Sequence, residues 1–383
     1  MKQGWTYKKL KEIGRTQTGT TPSKSVKSFY EGDIPFIRPA ELDIDGNGSI
    51  EYNSELKLTP EGALKSRKIS ANSILMCCIG SVGKTGYATK EVTCNQQINT
   101  ITPYMGFNGR FVYYALMAPS FQNEVKKIAN SAKATLAIIS KGKWEEMSIP
   151  VPPLYEQQSI VDYLDSAFTQ IDVLKNNAVR QLAEARALFQ SALTQAMQPK
   201  PGWQQTEFGN VCYYHKEQAV YRDRKFIGME HIESGTGVLL GFQDSNEIAS
   251  SSFGFSKGDV LYGRLRPYLR KIILAEFDGC CSTEIFPIRS NHVEPEFIKY
   301  WFLTDEITNK INATSAGCRM PRGNMNEVKR FSFHYPKEKS EQRHITNNLD
   351  ILSSSIQKLV SISNKTIVEC DAMKQALLRQ IFE

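Results

Sequence analysis

The chain has 383 residues, 41% hydrophobic and 23% charged, which is ordinary soluble usage at a length calling for two or three domains. No run approaches the ~18 apolar residues of a membrane span, and Met1-Lys2-Gln3-Gly4-Trp5-Thr6 lacks the apolar core of a secretion signal, so a cytoplasmic protein without membrane contact is expected. Of the formal net charge, residues 1–153 carry +7, whereas 199–336 carry only +1. This excess is compatible with a polyanionic partner but does not establish one.

In chain order, residues 1–153 read as a first globular head. Short β-rich runs such as 73–78 and a helical stretch near 107–129 are separated by Gly, Asn, Asp and Ser turns. Residues 154–198 contain neither Gly nor Pro and predict one long helix. Its coiled-coil seam is expected at Ile160, Leu164, Ala167, Ile171, Leu174, Ala178, Gln181, Ala185, Leu188 and Ala192. Residues 199–336 are a second mixed head, with strands near 259–262 and 271–275 and a helical stretch near 294–312. Residues 337–383, again without Gly or Pro, predict a second long helix, with its seam at Ile345, Leu349, Leu352, Ile356, Leu359, Ser363, Thr366, Cys370, Met373 and Leu377.

A constant shift of 185 residues lays Glu156-Gln157 on Glu341-Gln342 and Leu164-Asp165 on Leu349-Asp350. The heads repeat as well. Phe36-Ile37 with Glu41-Leu42 matches Phe226-Ile227 with Glu230-His231-Ile232, Ile74-Leu75 matches Val260-Leu261, Pro152 matches Pro336, and Trp5 and Trp203 stand near the two starts. The fold expected is α+β, head–rod–head–rod, an internal duplication. The rods are expected to pair antiparallel, relating two similar heads by an approximate two-fold axis. Such an object suits a long ligand with its own approximate two-fold repeat, of which duplex DNA is the obvious one, although two copies of a partner protein fit the same geometry.

Residue chemistry favours DNA. Within 260–275, Arg264, Arg266, Arg270 and Lys271 alternate with Tyr262 and Tyr268 and no acid intervenes, the pattern phosphate contacts need and one that allows Arg to read guanine. Further candidates are Arg222, Arg224 and Lys225, and the loop with Arg319, Arg322 and Asn324. In the first head they are Thr20, Thr21, Lys24 and Lys27, Arg38, Lys84, the amide run Asn95-Gln96-Gln97, and Lys133, Lys141 and Lys143. The amides matter because a paired donor and acceptor matches adenine.

Enzyme signatures fail on inspection. Gly80-Ser81-Val82-Gly83-Lys84-Thr85 has Cys78 where a phosphate loop needs glycine. Val151-Pro152-Pro153-Leu154-Tyr155 begins with Val and places its aromatic one position late for an amino-methyltransferase loop. The Glu-x-Lys triplets at Glu55, Glu124 and Glu327 lack a preceding Pro-Asp ligand, and there is no G-x-S-x-G or H-E-x-x-H. The eight cysteines form no C-x-x-C pair and do not stand beside the five histidines at zinc spacing, so reduced buried thiols and no metal are expected.

Trp5 with Leu10, Thr18-Gly19-Thr20-Thr21-Pro22-Ser23, Gly32-Asp33-Ile34-Pro35-Phe36-Ile37, the Gly80–Lys84 turn and Ile149-Pro150-Val151-Pro152-Pro153-Leu154-Tyr155-Glu156-Gln157-Gln158 together resemble the specificity (S, or HsdS) subunits of type I restriction–modification systems. The second junction, Tyr335-Pro336-Lys337-Glu338-Lys339-Ser340-Glu341-Gln342, lacks the double proline. The resemblance implies two target-recognition domains, 1–153 and 199–336, each reading half of a split double-stranded DNA site. It also implies that the helices 154–198 and 337–383 set the spacing and dock two methyltransferase (M) subunits, with restriction (R) subunits joining. S-adenosylmethionine and ATP are then expected on those partners, and no cofactor or catalysis in this chain. The rival expectations are a two-headed protein-binding adaptor and a self-contained methyltransferase or nuclease with degenerate motifs.

Overall fold

The structure, a computed structural model, describes residues 4–43, 47–131, 136–315 and 319–383. The two stretches without Gly or Pro are helical over Leu154–Met197 and Lys339–Phe382, 44 residues each. The chain forms two compact units, residues 1–177 with 366–383 and residues 178–365, so each contains one head and part of both long helices.

In unit 1, Thr6–Lys9 pairs antiparallel with Ser148–Val151, which brings the beginning and end of the head together just before the long helix. An antiparallel sheet runs in the order Gly14–Thr18, Ile98–Pro103, Ile74–Cys77, Thr85–Tyr87. Ile74–Cys77 is buried at every residue, which is why it reads as an unbroken apolar run rather than an alternating one. In a second sheet, Phe36 and Ile37 at the end of Tyr30–Ile37 run parallel to Thr93 and Cys94. The stretch near 107–129 is two helices, Gly109–Met117 and Pro119–Ser131. Asn108 caps the first by accepting from the N–H groups of Arg110 and Phe111, and Pro119, with no N–H to satisfy, opens the second.

Unit 2 repeats this order. Gln204–Glu207 pairs with Ser332–Tyr335, and a sheet runs Cys212–Tyr214, Ile285–Ser290, Val260–Gly263, Ile272–Leu274. Phe226 and Ile227 run parallel to Cys280 and Cys281, and the helical pair is Pro295–Leu303 and Asp305–Ala313.

The marks related by 185 residues turn out to be the joints between head and helix. Gln157 and Gln342 are 1% and 0% exposed. Gln157 Oε1 accepts from the Asn108 N–H at 2.8 Å and its Nε2 donates to the Pro152 carbonyl at 2.9 Å; Gln342 accepts from the Glu294 N–H and donates to the Pro336 carbonyl, both at 2.7 Å. Beside them, Trp5 Nε1 donates to Glu156 at 2.8 Å and Trp203 Nε1 to Glu341 at 3.1 Å. About two turns along, the Tyr114 hydroxyl donates to Asp165, joined by Arg110 Nε at 3.1 Å, and the Tyr300 hydroxyl donates to Asp350, joined by Lys299 Nζ at 3.3 Å. Burial and the carboxylate bond both push these phenols far above their ordinary range, so they stay donors.

Within unit 1 the two helices run antiparallel, with Lys374 on Asp172 and Lys175 Nζ 2.6 Å from Asp371. Lys374, 5% exposed, also donates to Asn47 of the head. The seam of the first helix differs in phase from its prediction. Leu164, Ile171, Ala178 and Ala185 are buried as expected, but Val161, Phe168 and Phe189 replace Ile160, Ala167 and Leu188. Leu174 and Leu188 are 49% and 57% exposed. Steps of 4-3 and 3-4 share every seventh residue, and the choice between them falls to the head cores. Val161, Leu164 and Phe168 join the core of unit 1, and Phe189, Leu193 and Met197 that of unit 2. In the second helix Lys374 is buried where Met373 was expected and Val360 is more buried than Leu359.

Replacing Gln342 with Leu strands an N–H and a carbonyl in a dry site and is expected to destabilise unit 2 by about 2–4 kcal/mol. Gln181→Ala, at an exposed position, is expected to stay within about 0.5 kcal/mol. Urea unfolding of both variants checks the contrast.

Candidate nucleic-acid interface

In unit 2 the strand Val260–Gly263 opens into the loop 264–271, and the segment 319–324 lies against it. Leu265 bridges to Arg322, the Arg266 N–H donates to the Pro321 carbonyl at 2.7 Å, and the Gly323 N–H donates to the Arg264 carbonyl at 2.8 Å. Glu284, just ahead of Ile285–Ser290, takes Arg264 Nε on one oxygen and Arg322 Nε on the other, each at 2.9 Å. Burial works against ionisation here, but the two guanidinium bonds win and hold the Glu284 carboxyl below its usual range.

Of the four cations expected in 264–271, two are therefore neutralised by carboxylates and a third is bonded to a carbonyl. Arg264 is tied to Glu284, Arg270 lies 2.5 Å from Asp305, and Lys271 Nζ donates to the Met229 carbonyl at 2.6 Å. The acids that do this are distant in sequence, so a local charge window does not register them. Arg266 and Tyr268 remain exposed, as does Arg319. Asn324 caps Met325–Val328 by accepting from the Asn326 and Glu327 N–H groups. Arg222 reaches the carbonyls of Ser245, Asn246 and Ile248 at 3.4–3.5 Å. Arg224 lies 4.7 Å over Tyr221, and Lys225 lies 4.5 Å over both Phe242 and Phe277.

Unit 1 builds the same pair of loops. Ile79 bridges to Ile138, the Gly80 N–H donates to the Ala137 carbonyl and the Ile139 N–H to the Cys78 carbonyl, both at 2.9 Å. Lys84 Nζ donates to the Pro39 carbonyl at 3.1 Å, the equivalent of Lys271 on Met229. The positive φ of Gly80 (81°) and Gly83 (94°) recurs at Arg266 (52°) and Arg270 (49°). An L side chain in that region costs ~1–2 kcal/mol, so unit 2 holds two arginines where glycine is the relaxed choice.

Asn95-Gln96-Gln97 occupies the place of Ser282-Thr283-Glu284, since the Asn95 N–H donates to Ile37 and the Ser282 N–H to Ile227, both at 3.0 Å. Asn95 is buried and its amide is spent on Gln97 at 2.9 Å, whereas the exposed Gln96 accepts from the Thr21 hydroxyl. The Thr20 N–H donates to the Cys94 carbonyl at 2.9 Å, which brings the segment carrying the exposed Lys24 and Lys27 to this edge. Arg38 is held by the buried Glu41, with Nε 3.2 Å from each oxygen. Lys141 pairs with Glu145 at 2.5 Å, Lys143 is exposed, and Lys133 lies outside the described residues.

These surfaces are loops rich in amides, hydroxyls and cations rather than a cleft around a nucleophile. The seven described cysteines are buried and unbridged, and burial pushes the Cys78, Cys94 and Cys212 thiols up to about 12. Among the described residues no group of three or more His, Cys, Asp or Glu could hold a metal, and no helix is long and apolar enough to cross a membrane.

A duplicated α+β protein with two heads, each presenting the same loop pair with different side chains, is the class that these features define. Residues 2–182 match the family model described as the type I restriction modification DNA specificity domain. The chain is 22% identical to the EcoDI specificity subunit of Escherichia coli across 99% of its own length and 88% of that protein's. It is 37% identical to the HindI specificity subunit of Haemophilus influenzae across 35% of this chain and 29% of that one. Its fold is that of a solved chain from work on complex assembly and conformational transition of the type I R-M system, with a TM-score of 0.78, 16% identity and coverage of 99% and 97%. The HsdS subunit from Thermoanaerobacter tengcongensis has a TM-score of 0.55 at 17% identity, with coverage of 100% and 97%. Residues 2–182 thus match the type I DNA specificity domain, and the chain over nearly its whole length is similar to a type I specificity subunit.

Because the folded-state pKa of Glu284 is depressed, its contribution to stability is present above the unfolded value and is lost as pH falls through the folded one. Glu284→Gln is expected to be about 1–2 kcal/mol less stable than the parent at pH 7. The gap should begin to narrow below the ordinary Glu value of about 4.3 and go on narrowing as pH falls through the lower folded value. Denaturant titrations at pH 7 and pH 3.5 read the difference.

Proposed function

We propose that the chain is the DNA reader and assembly scaffold of a type I restriction–modification complex and does no chemistry itself. The observation that carries this reading is that both heads offer one loop pair at one place in the fold while filling it differently. Gly80–Lys84 and Asn95–Gln97 in unit 1 match Arg266–Lys271 and Ser282–Glu284 in unit 2. A duplicated frame with unlike contact residues is what a split site with two different halves requires.

The long helices supply the scaffold. Leu174, Leu188, Ile351, Ile362 and Val368 are 49–69% exposed on them, and apolar side chains of that number on a helical rod suit docking by helical partners. Those partners are two methyltransferase subunits, which bring S-adenosylmethionine and act on the flipped base, with ATP-driven restriction subunits beyond them.

A selection from random-sequence DNA, using the chain assembled with its methyltransferase partner, is expected to return a two-part motif with a fixed gap. A selection that returns no motif favours a protein-binding adaptor, and methylation or cleavage by the chain alone favours a self-contained enzyme. Once the site is known, Arg266→Ala and Arg319→Ala should each lower the salt slope of binding by about 1 if each loses a phosphate contact. Both side chains are free to reach DNA, unlike that of Arg264.

A further inference from the structure

We propose that unit 2 contains a phosphate-binding position, built from Lys216 and Lys329 over the rings of Tyr214 and Phe286, which unit 1 lacks. The inference rests on the reading of the chain as a DNA reader and assigns to one head a sequence-independent contact built on an aromatic pair that the other head does not have at the matching place.

The rings of Tyr214 and Phe286 meet edge to face, 5.3 Å between centroids. Lys216 Nζ stands 4.4 Å from the Phe286 centroid and 5.8 Å from that of Tyr214, Lys329 Nζ stands 5.2 Å from Tyr214, and Arg264 Cζ lies 5.3 Å from Phe286. Three cations thus share two rings. Arg264 has Glu284, which it divides with Arg322, but neither ammonium has a carboxylate within ion-pair distance among the described residues. Burial, followed by the charges of Lys329 and Arg264, lowers the Lys216 pKa, as expected of like charges held together without a counter-ion. The aromatic faces help hold the ammonium groups in place, and an anion placed between them relieves the repulsion. An ammonium is a point charge with three donors and no acceptor, suited to a phosphate oxygen and poor at discriminating bases.

The equivalent place in unit 1 has been filled with neutral chemistry. Tyr214 pairs with Ile288 as Thr16 pairs with Ile101, which sets Lys216 on Thr18 and Phe286 on Asn99. The Phe208 N–H donates to Phe331 as the Leu10 N–H donates to Met147, which sets Lys329 on Glu145. There the Thr18 hydroxyl donates to Asn99 at 2.8 Å, the Thr16 hydroxyl donates to Glu145 at 2.6 Å, and Lys141 closes an ion pair with the same carboxylate. The Thr18 hydroxyl is spent on the amide and the Thr16 hydroxyl on the carboxylate, the Lys141–Glu145 charges cancel, and the cation that remains, Arg67, donates to the Thr18 carbonyl at 2.5 Å instead of sharing a ring pair with a second cation.

The test uses the chain assembled with its methyltransferase partner, on a duplex carrying the selected site, with the affinity measured across a salt series. The double variant Lys216→Gln, Lys329→Gln is expected to reduce the salt slope by about 1 with unchanged base preference. Lys216→Arg with Lys329→Arg should keep the parent slope, and Thr18→Ala, at the matching place in unit 1, should leave it unaltered. A double Gln variant that binds with the parent slope overturns the phosphate position while leaving the DNA-reading function intact. A parent complex that binds no DNA overturns both.

Discussion

A buried amide at the start of each long helix organises the rest of the structure. Gln157 and Gln342 each use both ends of the amide on backbone groups, a carbonyl where the last head strand stops and an N–H where the head's first long helical segment begins. Because the groups are dry, leaving either unmatched is costly, so the direction in which the helix leaves the head is fixed by satisfaction of hydrogen bonds and not by apolar contact alone. The tryptophan–glutamate and tyrosine–aspartate bonds repeat beside it in both units. The same joint is thus made twice from residues 185 positions apart.

A rigid joint leaves the loops at the strand ends free to vary. The backbone contacts that hold them, Gly80 on Ala137 and Arg266 on Pro321, are amide-to-carbonyl bonds indifferent to side-chain identity. Side chains on these loops can change sign, size and bonding capacity without disturbing the joint. Unit 2 shows how far this goes, with arginines held at left-handed backbone positions where unit 1 has glycines, and a basic aromatic corner where unit 1 has threonine, asparagine and glutamate. Structure and proposed function meet at this separation, since a reader needs a constant frame and an interchangeable contact surface.

The duplication, the α+β heads and the two helices were legible in the sequence because each rests on patterns that are local or evenly spaced. Absent glycine and proline, heptad spacing and the recurring Glu-Gln pair are of this kind. The phase of the first seam was not legible, since Ile160 and Leu188 are as apolar as the Val161 and Phe189 that displace them, and only the head cores choose. The availability of the candidate cations was not visible. Glu284, Asp305 and Glu41 decide which arginines are spent, and of these only Glu41 is near its partner in sequence. Lys216 and Lys329 were not read as contact residues for the opposite reason, since they are far apart in sequence, Lys329 figuring only as the end of the Glu327 triplet, and they gather only when folded around Tyr214.

The central claim, that the joint makes the heads interchangeable reading modules, is tested most directly by a chain in which residues 5–152 replace 203–336 with Gln342 and its helix kept. The hybrid, assembled with the methyltransferase partner, is then put through DNA selection. A site whose two halves carry the same bases is the outcome the account predicts; a second half that keeps the parent's bases would contradict it.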